Sequence, residues 1–408
     1  MPFYFWNNIG QMRKLSPFET FPIKGKIWVQ LAMKFGSKSD AFDVANLLNH
    51  KVLGTRLRSD GTHLIPLDKT PDIVKIPEFP DLVQATKFVQ QHHTPSCNET
   101  LGIVTYNDNM VILNSNHTAS DGGYLMELNK YILGESDIED KHSPLPISFD
   151  EAFSKYYNSL PGQTSFTTTL YKYSLTKSPK KDTDPAGFYR FVIPHEQLKA
   201  YNKNTKKVQS FTDNIWTSFI LSSAAHNGYL DNYGCFACVN LRPYLPKVTF
   251  DYANIFSRKA VAVPMKDRNE TLQSVCSRFR KIFDSKQALD DMFRLQRDGN
   301  FKAPLNGMFN LETSNVGVYK ATGPILDINV ALYIPNNFTA NELCFLTYTV
   351  DHGKTKELIC QLRHPTNLVS TEEIGKTAAA SELFMRNMDL SCKVGDVFDE
   401  LAKYQSSL

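Results

Sequence analysis

Apolar and β-branched residues at Val104, Tyr106, Met110, Val111, Ile112 and Leu113 flank a polar break at Asn107-Asp-Asn109, a pattern that predicts two paired strands and a turn. Directly after them, Tyr124, Leu125, Leu128, Tyr131 and Ile132 recur at helical spacing, which predicts an amphipathic helix beginning at or just after Gly123. Asp121 then occupies the position of a helix N-cap.

The same reading along the chain predicts a strand from Lys26 to Phe35, a helix from about Asp40 to Asn49, and a strand in Lys51 to Arg58 followed by a turn at Ser59-Asp-Gly61. A helix is expected over 81–93. Residues 136–187 change character, with Pro144, Pro146, Pro161-Gly162 and Lys177-Ser-Pro-Lys-Lys-Asp-Thr-Asp-Pro185, and there the connection between domains is expected. Beyond it the pattern predicts a strand from Phe188 to Ile193, a helix from His195 to Tyr201, and a longer helix from Asp213 to His226 with Thr212 as its cap. A buried strand from Tyr233 to Leu241 and a helix from Asn269 to Ser285 follow. Strands are then expected at Met308 to Leu311, Asp327 to Tyr333 and Leu343 to Val350, with a turn at Asp351-His-Gly353, a strand from Glu357 to Arg363 and a helix over 371–388. Mixed strands and helices with several hairpins give an α/β (α+β) fold class, a mixed sheet with helices packed on it.

Between the predicted hairpin and helix lies Asn114-Ser-Asn-His117-Thr-Ala-Ser-Asp121-Gly-Gly-Tyr124, which puts an imidazole four residues before a carboxylate. A neutral imidazole at a strand end can take a proton from a hydroxyl, amine or thiol as it attacks an electrophile. The carboxylate either orients the ring or orients the loop that carries it. Two consecutive glycines admit a tight turn or a close ligand. The spacing alone is a weak signal; the strand-to-helix setting strengthens it.

At 408 residues the chain is too long for one ordinary core, so two domains are expected: 1–160, a crossover linker 161–187, and 188–408. A formal net charge of +3 with no basic stripe interleaved by aromatics argues against nucleic acid as a partner. The apolar opening Met1-Pro-Phe-Tyr-Phe-Trp6 is too short for a secretory signal, and no apolar run reaches the ~20 residues of a membrane span. Seven scattered cysteines fit a reducing compartment, so a cytoplasmic protein is expected. Asn-x-Ser/Thr triplets at Asn98, Asn116, Asn269 and Asn337 are read as accidental. Cys235-Phe-Ala-Cys238 has metal or redox spacing but lies in a buried strand, where residues three apart point to opposite faces. With no second pair at ligand spacing, no metal site is expected.

His117-Thr-Ala-Ser-Asp121-Gly122 resembles the active-site motif of the CoA-dependent acyltransferases related to chloramphenicol acetyltransferase, a group that includes alcohol acetyltransferases and the condensation domains of peptide synthetases. Arg13-Lys-Leu-Ser-Pro-Phe-Glu19, His50-Lys-Val-Leu-Gly-Thr-Arg56, Phe211-Thr-Asp-Asn-Ile-Trp216, Val239-Asn-Leu-Arg242-Pro243, Thr313-Ser-Asn-Val-Gly317 and Tyr348-Thr-Val-Asp351-His-Gly353 resemble further segments of that group, in its order. The plant-type DFGWG motif is missing, and Tyr252-Ala-Asn254 stands where a Gly-Asn pair is expected.

The resemblance implies two chloramphenicol acetyltransferase-like domains, each a mixed β-sheet with packed helices, and a channel between them faced by His117. It implies acyl-CoA as co-substrate, no permanent cofactor, a small hydroxyl or amine acceptor, and a monomer with no integral membrane segment. His117 is then the general base, Asp121 a structural brace partnered by a bidentate Arg242, Gly122 part of the motif, and Thr313, Ser314, Asn315 or Gly317 the source of an oxyanion donor. The alternatives are a core histidine at 117, an ordinary surface or interface arginine at 242, and a plain strand with a glycine kink at 313–317. At the level of function, a non-catalytic binding relative and a stand-alone condensation-type enzyme using carrier-bound acyl groups stay open. No role is expected for His92, His93, His352 or His364.

Overall fold

The computed structural model describes residues 12–136, 138, 144–160, 187–298, 310–335, 342–366 and 369–408. Two mixed sheets organise the chain into two lobes. Their strands are β1 (Trp28–Phe35), β2 (Val74–Lys75), β3 (Gly102–Tyr106), β4 (Met110–Asn116), β5 (Phe188–Pro194) and β6 (Asn232–Asn240). Next come β7 (Phe256–Pro264), β8 (Asn310–Lys320), β9 (Ile325–Tyr333), β10 (Glu342–Asp351) and β11 (Lys356–Arg363). The five-stranded sheet runs β9-β1-β4-β3-β2 and the six-stranded sheet β7-β6-β8-β10-β11-β5.

The first sheet is buried on both faces: every residue of β4 and all of β1 except Lys34 are buried, without alternation. Ala32, Met110 and Ile112 pack on Leu82, Ala85 and Val89 of the helix Leu82–His92. The opposite face, with Leu31, Met33, Val111 and Leu113, joins a core with the helices Lys38–Lys51 and Gly122–Ile132. The second sheet covers a core with Phe211–Asn227, a helix buried through Asn214 to Ala225, and with Leu272–Phe283, Thr371–Asn387 and Val394–Ser406. Among the described residues no helix is long and apolar enough to cross a membrane.

One strand ties the lobes together. β9 comes from the second half of the chain yet pairs antiparallel with β1, placing Leu332 opposite Val29 and Val330 opposite Leu31. The six-stranded sheet holds it by side chains: the Tyr348 hydroxyl accepts the Val330 amide at 3.1 Å, Gln361 Nε2 donates to the Val330 carbonyl at 3.0 Å, and Arg363 Nη2 donates to the Ile334 carbonyl at 2.7 Å. Of the expected 161–187 crossover, residues 161–186 lie outside the described residues, as do Met308 and Phe309 of the expected strand at Met308 to Leu311.

Several elements differ from expectation for local reasons. His195 to Tyr201 makes only a 3-10 turn at His195–Gln197, and Tyr201–Asn202 then pairs with Lys207–Val208. The central helix starts at Phe211, with Ser210 at φ 44 and no side-chain cap, so Thr212 is inside the helix. Lys51 to Arg58 holds the 3-10 turn Leu53–Arg56 and the short strand Leu57–Ser59. β8 runs to Lys320 because a bulge between Asn315 and Val318, with Gly317 at φ 94, lets the strand resume beyond its kink.

Candidate active site

β4 ends at Asn116, and the His117 amide continues the pairing by donating to the Ile27 carbonyl at 2.9 Å. The loop is then fixed from four directions. Thr118 donates its amide to Asn116 Oδ1 at 3.0 Å and its hydroxyl to the Glu19 carbonyl at 2.9 Å. Asn254 Nδ2 donates to the His117 carbonyl at 2.7 Å. Asp121 caps the helix, Oδ1 accepting the Tyr124 amide and Oδ2 the Ile255 amide, each at 2.7 Å.

Arg242 closes on this cap. Its Nη1 lies 2.7 Å from Asp121 Oδ1, and the two side chains are 4% and 2% exposed. Its Nη2 donates to the Tyr252 carbonyl at 2.7 Å. The expected two-pronged carboxylate bridge is therefore replaced by a guanidinium that spans a carboxylate and a backbone carbonyl, since the Ile255 amide occupies Asp121 Oδ2. A Cβ at Gly123 would stand 2.4 Å from Arg242 Nη1, and one at Gly122 2.4 Å from Val316 Cγ1. Both positions need glycine because of close approach.

The His117 ring stacks on Phe256 with centroids 5.1 Å apart and 26° between planes. Its Nδ1 is buried and has no hydrogen-bond partner among the described residues. Burial lowers the imidazole pKa from its ordinary value, and the charges of Asp121 and Glu312 and the backbone at His117 and Ser120 oppose this only in part. Burial thus favours the neutral form of the ring, which lines the adjoining cavity.

That cavity measures about 310 Å³ and lies between the two sheets. On one side, Val29 and Leu332, paired in the first sheet, stand with Ile27 and Ile334 just beyond the strand ends, an apolar wall. The facing wall, from the six-stranded sheet, carries Phe256, Arg258, Cys238, Asn240, Glu312 and Ser314. Arg258 Nη1 donates to Glu312 Oε2 at 2.7 Å, a buried ion pair on the cavity wall, and the guanidinium also lies 4.9 Å from the centre of the Phe236 ring.

Strand alternation sorts the remaining candidates. Ser314, Asn315 and Gly317 line the cavity. Thr313 does not: it points to the opposite face of β8, where its hydroxyl meets the Phe236 carbonyl at 3.5 Å and Cys235 Sγ at 3.9 Å, so it is set aside as an oxyanion donor. Cys235 is in the core and Cys238 on the cavity wall, on opposite faces as their spacing requires. Among the described residues no group of three His, Cys, Asp or Glu is placed to hold a metal ion.

Sequence reasoning did not single out Asn254, Phe256, Arg258 or Glu312. Asn254 was visible only as half of an expected Gly-Asn pair, and its amide holds the His117 carbonyl. β7, which carries Phe256 and Arg258, was not predicted as a strand. Its signal was the alternation of Arg258 with β-branched and small neighbours in Phe256–Pro264.

No protein-family model and no curated protein sequence matches the chain. Solved structures do. The polyketide synthase associated protein 5 of Mycobacterium tuberculosis superposes with a TM-score of 0.61 at 15% identity, over 92% of this chain and 98% of that one. The epimerization domain from the third module of tyrocidine synthetase B gives 0.57 at 10% identity over 97% and 98%. The starter condensation domain of rhizomide synthetase, in complex with C8-CoA, gives 0.55 at 11% identity over 90% and 91%. The chain therefore has the two-lobed fold of the condensation-domain and CoA-dependent acyltransferase-like proteins.

Proposed function

We propose that the protein transfers an acyl group from an acyl-CoA thioester to the hydroxyl or amine of a small acceptor. The observation that carries this reading is a neutral imidazole, His117, presented to a largely apolar cavity between the lobes by a loop braced on every side. With its proton on buried Nδ1, Nε2 accepts the acceptor's proton as the acceptor attacks the thioester carbonyl. A carbon–oxygen or carbon–nitrogen bond forms, the carbon–sulfur bond breaks, and His117 passes the proton to the departing thiolate to give free CoA. General base catalysis of this kind contributes about 10² to 10⁴ in rate.

Asp121 and Arg242 act as positioning residues, since the carboxylate is engaged by two backbone amides and the guanidinium. Ser314, on the cavity face, is the proposed donor to the oxyanion. The Gly317 amide is a weaker choice because it already donates to Asn315 Oδ1 at 3.0 Å.

The reading is supported by the likeness to a condensation domain in complex with C8-CoA. The likeness to synthetase domains also favours a second reading, in which the acyl donor is carrier-bound. Incubation with a panel of acyl-CoAs and of alcohols and amines, following free thiol, tests the first. Thiol release that depends on both substrates is expected; none with any pair would refute it. Competition between free CoA thioesters and carrier-bound ones decides between the two donors.

A further inference from the structure

We propose that the Arg258–Glu312 ion pair recognises a second, uncharged polar group on the acceptor, so that the preferred acceptor is a neutral molecule with two polar ends. This rests on the acyl-transfer reading of the same cavity.

Both side chains are buried, at 7% and 9% exposure, and both line the cavity. An ion pair so placed gives little net stability, because desolvation offsets its attraction and well-packed apolar residues usually serve as well or better. Its use is therefore sought in what it presents to a ligand. Guanidinium N–H groups beside a carboxylate offer donors and acceptors side by side with no net charge. A hydroxyl or amide, which both donates and accepts, complements that surface. A carboxylate would meet Glu312, and an ammonium would meet Arg258.

The position follows from the strand. Phe256, which stacks on His117, and Arg258 are alternate residues on one face of β7, about 6.6 Å apart along it. Cys238 is directly opposite Arg258 and Phe236 opposite Glu312, so the pair spans β7, β6 and β8 on the cavity wall. The apolar wall of Ile27, Val29 and Leu332 faces it and suits hydrocarbon between the two polar ends.

The test uses the full chain with octanoyl-CoA and straight-chain diols from propanediol to hexanediol, each against its mono-alcohol, its ω-hydroxy acid and its ω-trimethylammonium alcohol, with free thiol as readout. The diol of best length is expected to exceed its mono-alcohol about tenfold in kcat/KM, the order of one net hydrogen bond, and to exceed both charged analogues. In Arg258→Met/Glu312→Leu that ratio is expected to fall towards one. If the double variant does not melt cooperatively, Glu312→Gln reads the same point: the positive charge left uncompensated should raise the ω-hydroxy acid relative to the diol. Equal use of diols and mono-alcohols, or a diol preference that survives both variants, would overturn this proposal alone. Absence of thiol release from every acceptor would overturn the acyl-transfer reading and this proposal with it.

Discussion

Asp121 Oδ1 lies 2.7 Å from Arg242 Nη1, and this buried contact joins the loop that carries His117 to the second lobe. The Tyr124 and Ile255 amides are the other partners of the same carboxylate. Asp121 is thereby committed to holding the loop, and its influence on the imidazole is that of a nearby charge.

Asp121→Asn is expected to destabilise the protein by about 3 kcal/mol or more, because it leaves a buried guanidinium without its counter-charge and turns an amide donor on Ile255 or Arg242. Urea denaturation measures it. A variant of wild-type stability would show that the contact does not brace the loop.

Gly123→Ala places a methyl group 2.4 Å from Arg242 Nη1 and must displace the guanidinium from Asp121. A loss of about 1–3 kcal/mol is expected, with kcat falling further than stability alone accounts for. Gly134→Ala is not a fair control, since Gly134 has φ 70, so the comparison is with an exposed helical site such as Glu400→Ala in Val394–Ser406.

Burial lowers the His117 pKa below its ordinary 6.5. The base therefore stays neutral to below that pH, and the acid limb of kcat/KM is expected below 6.5. The stability sign follows from proton uptake. Between the folded and unfolded values the unfolded chain binds more protons, so stability rises with pH through that window and is lost as pH falls through it. His117→Ala should lose less stability than wild type between neutrality and about pH 5, as measured by urea denaturation at the two pH values.

Tyr348→Phe removes the acceptor of the Val330 amide and a donor to Asn329 Oδ1, both buried. A loss of about 1–3 kcal/mol is expected. Hydrogen exchange at Val330 should accelerate more than at β4, because the bond that is lost anchors β9 and not the sheet as a whole.

Much of the site was legible where one local rule decides the outcome. Asp121 caps the helix as its position predicts, and the Asn107 turn closes the hairpin with Asn107 Oδ1 accepting the amides of Asn109 and Met110. Illegible were the features that depend on pairing across the chain. That β9 returns to the first sheet, that Arg258 finds Glu312, and that Asn254 holds the His117 carbonyl are contacts between residues 54 to about 300 positions apart. Periodicity carries no information on such partners. The segment His195 to Tyr201 was misread because its end, Tyr201–Asn202, pairs with Lys207–Val208, a ladder partner that lies beyond the next turn.

The most direct measurement is the rate of free thiol release from octanoyl-CoA with an accepted alcohol, for wild type and for His117→Ala, alongside their melting curves. A fall of about 10² to 10⁴ in kcat/KM with little change in melting is predicted. A His117→Ala variant that folds and retains the full rate would contradict the assignment of His117 as the base.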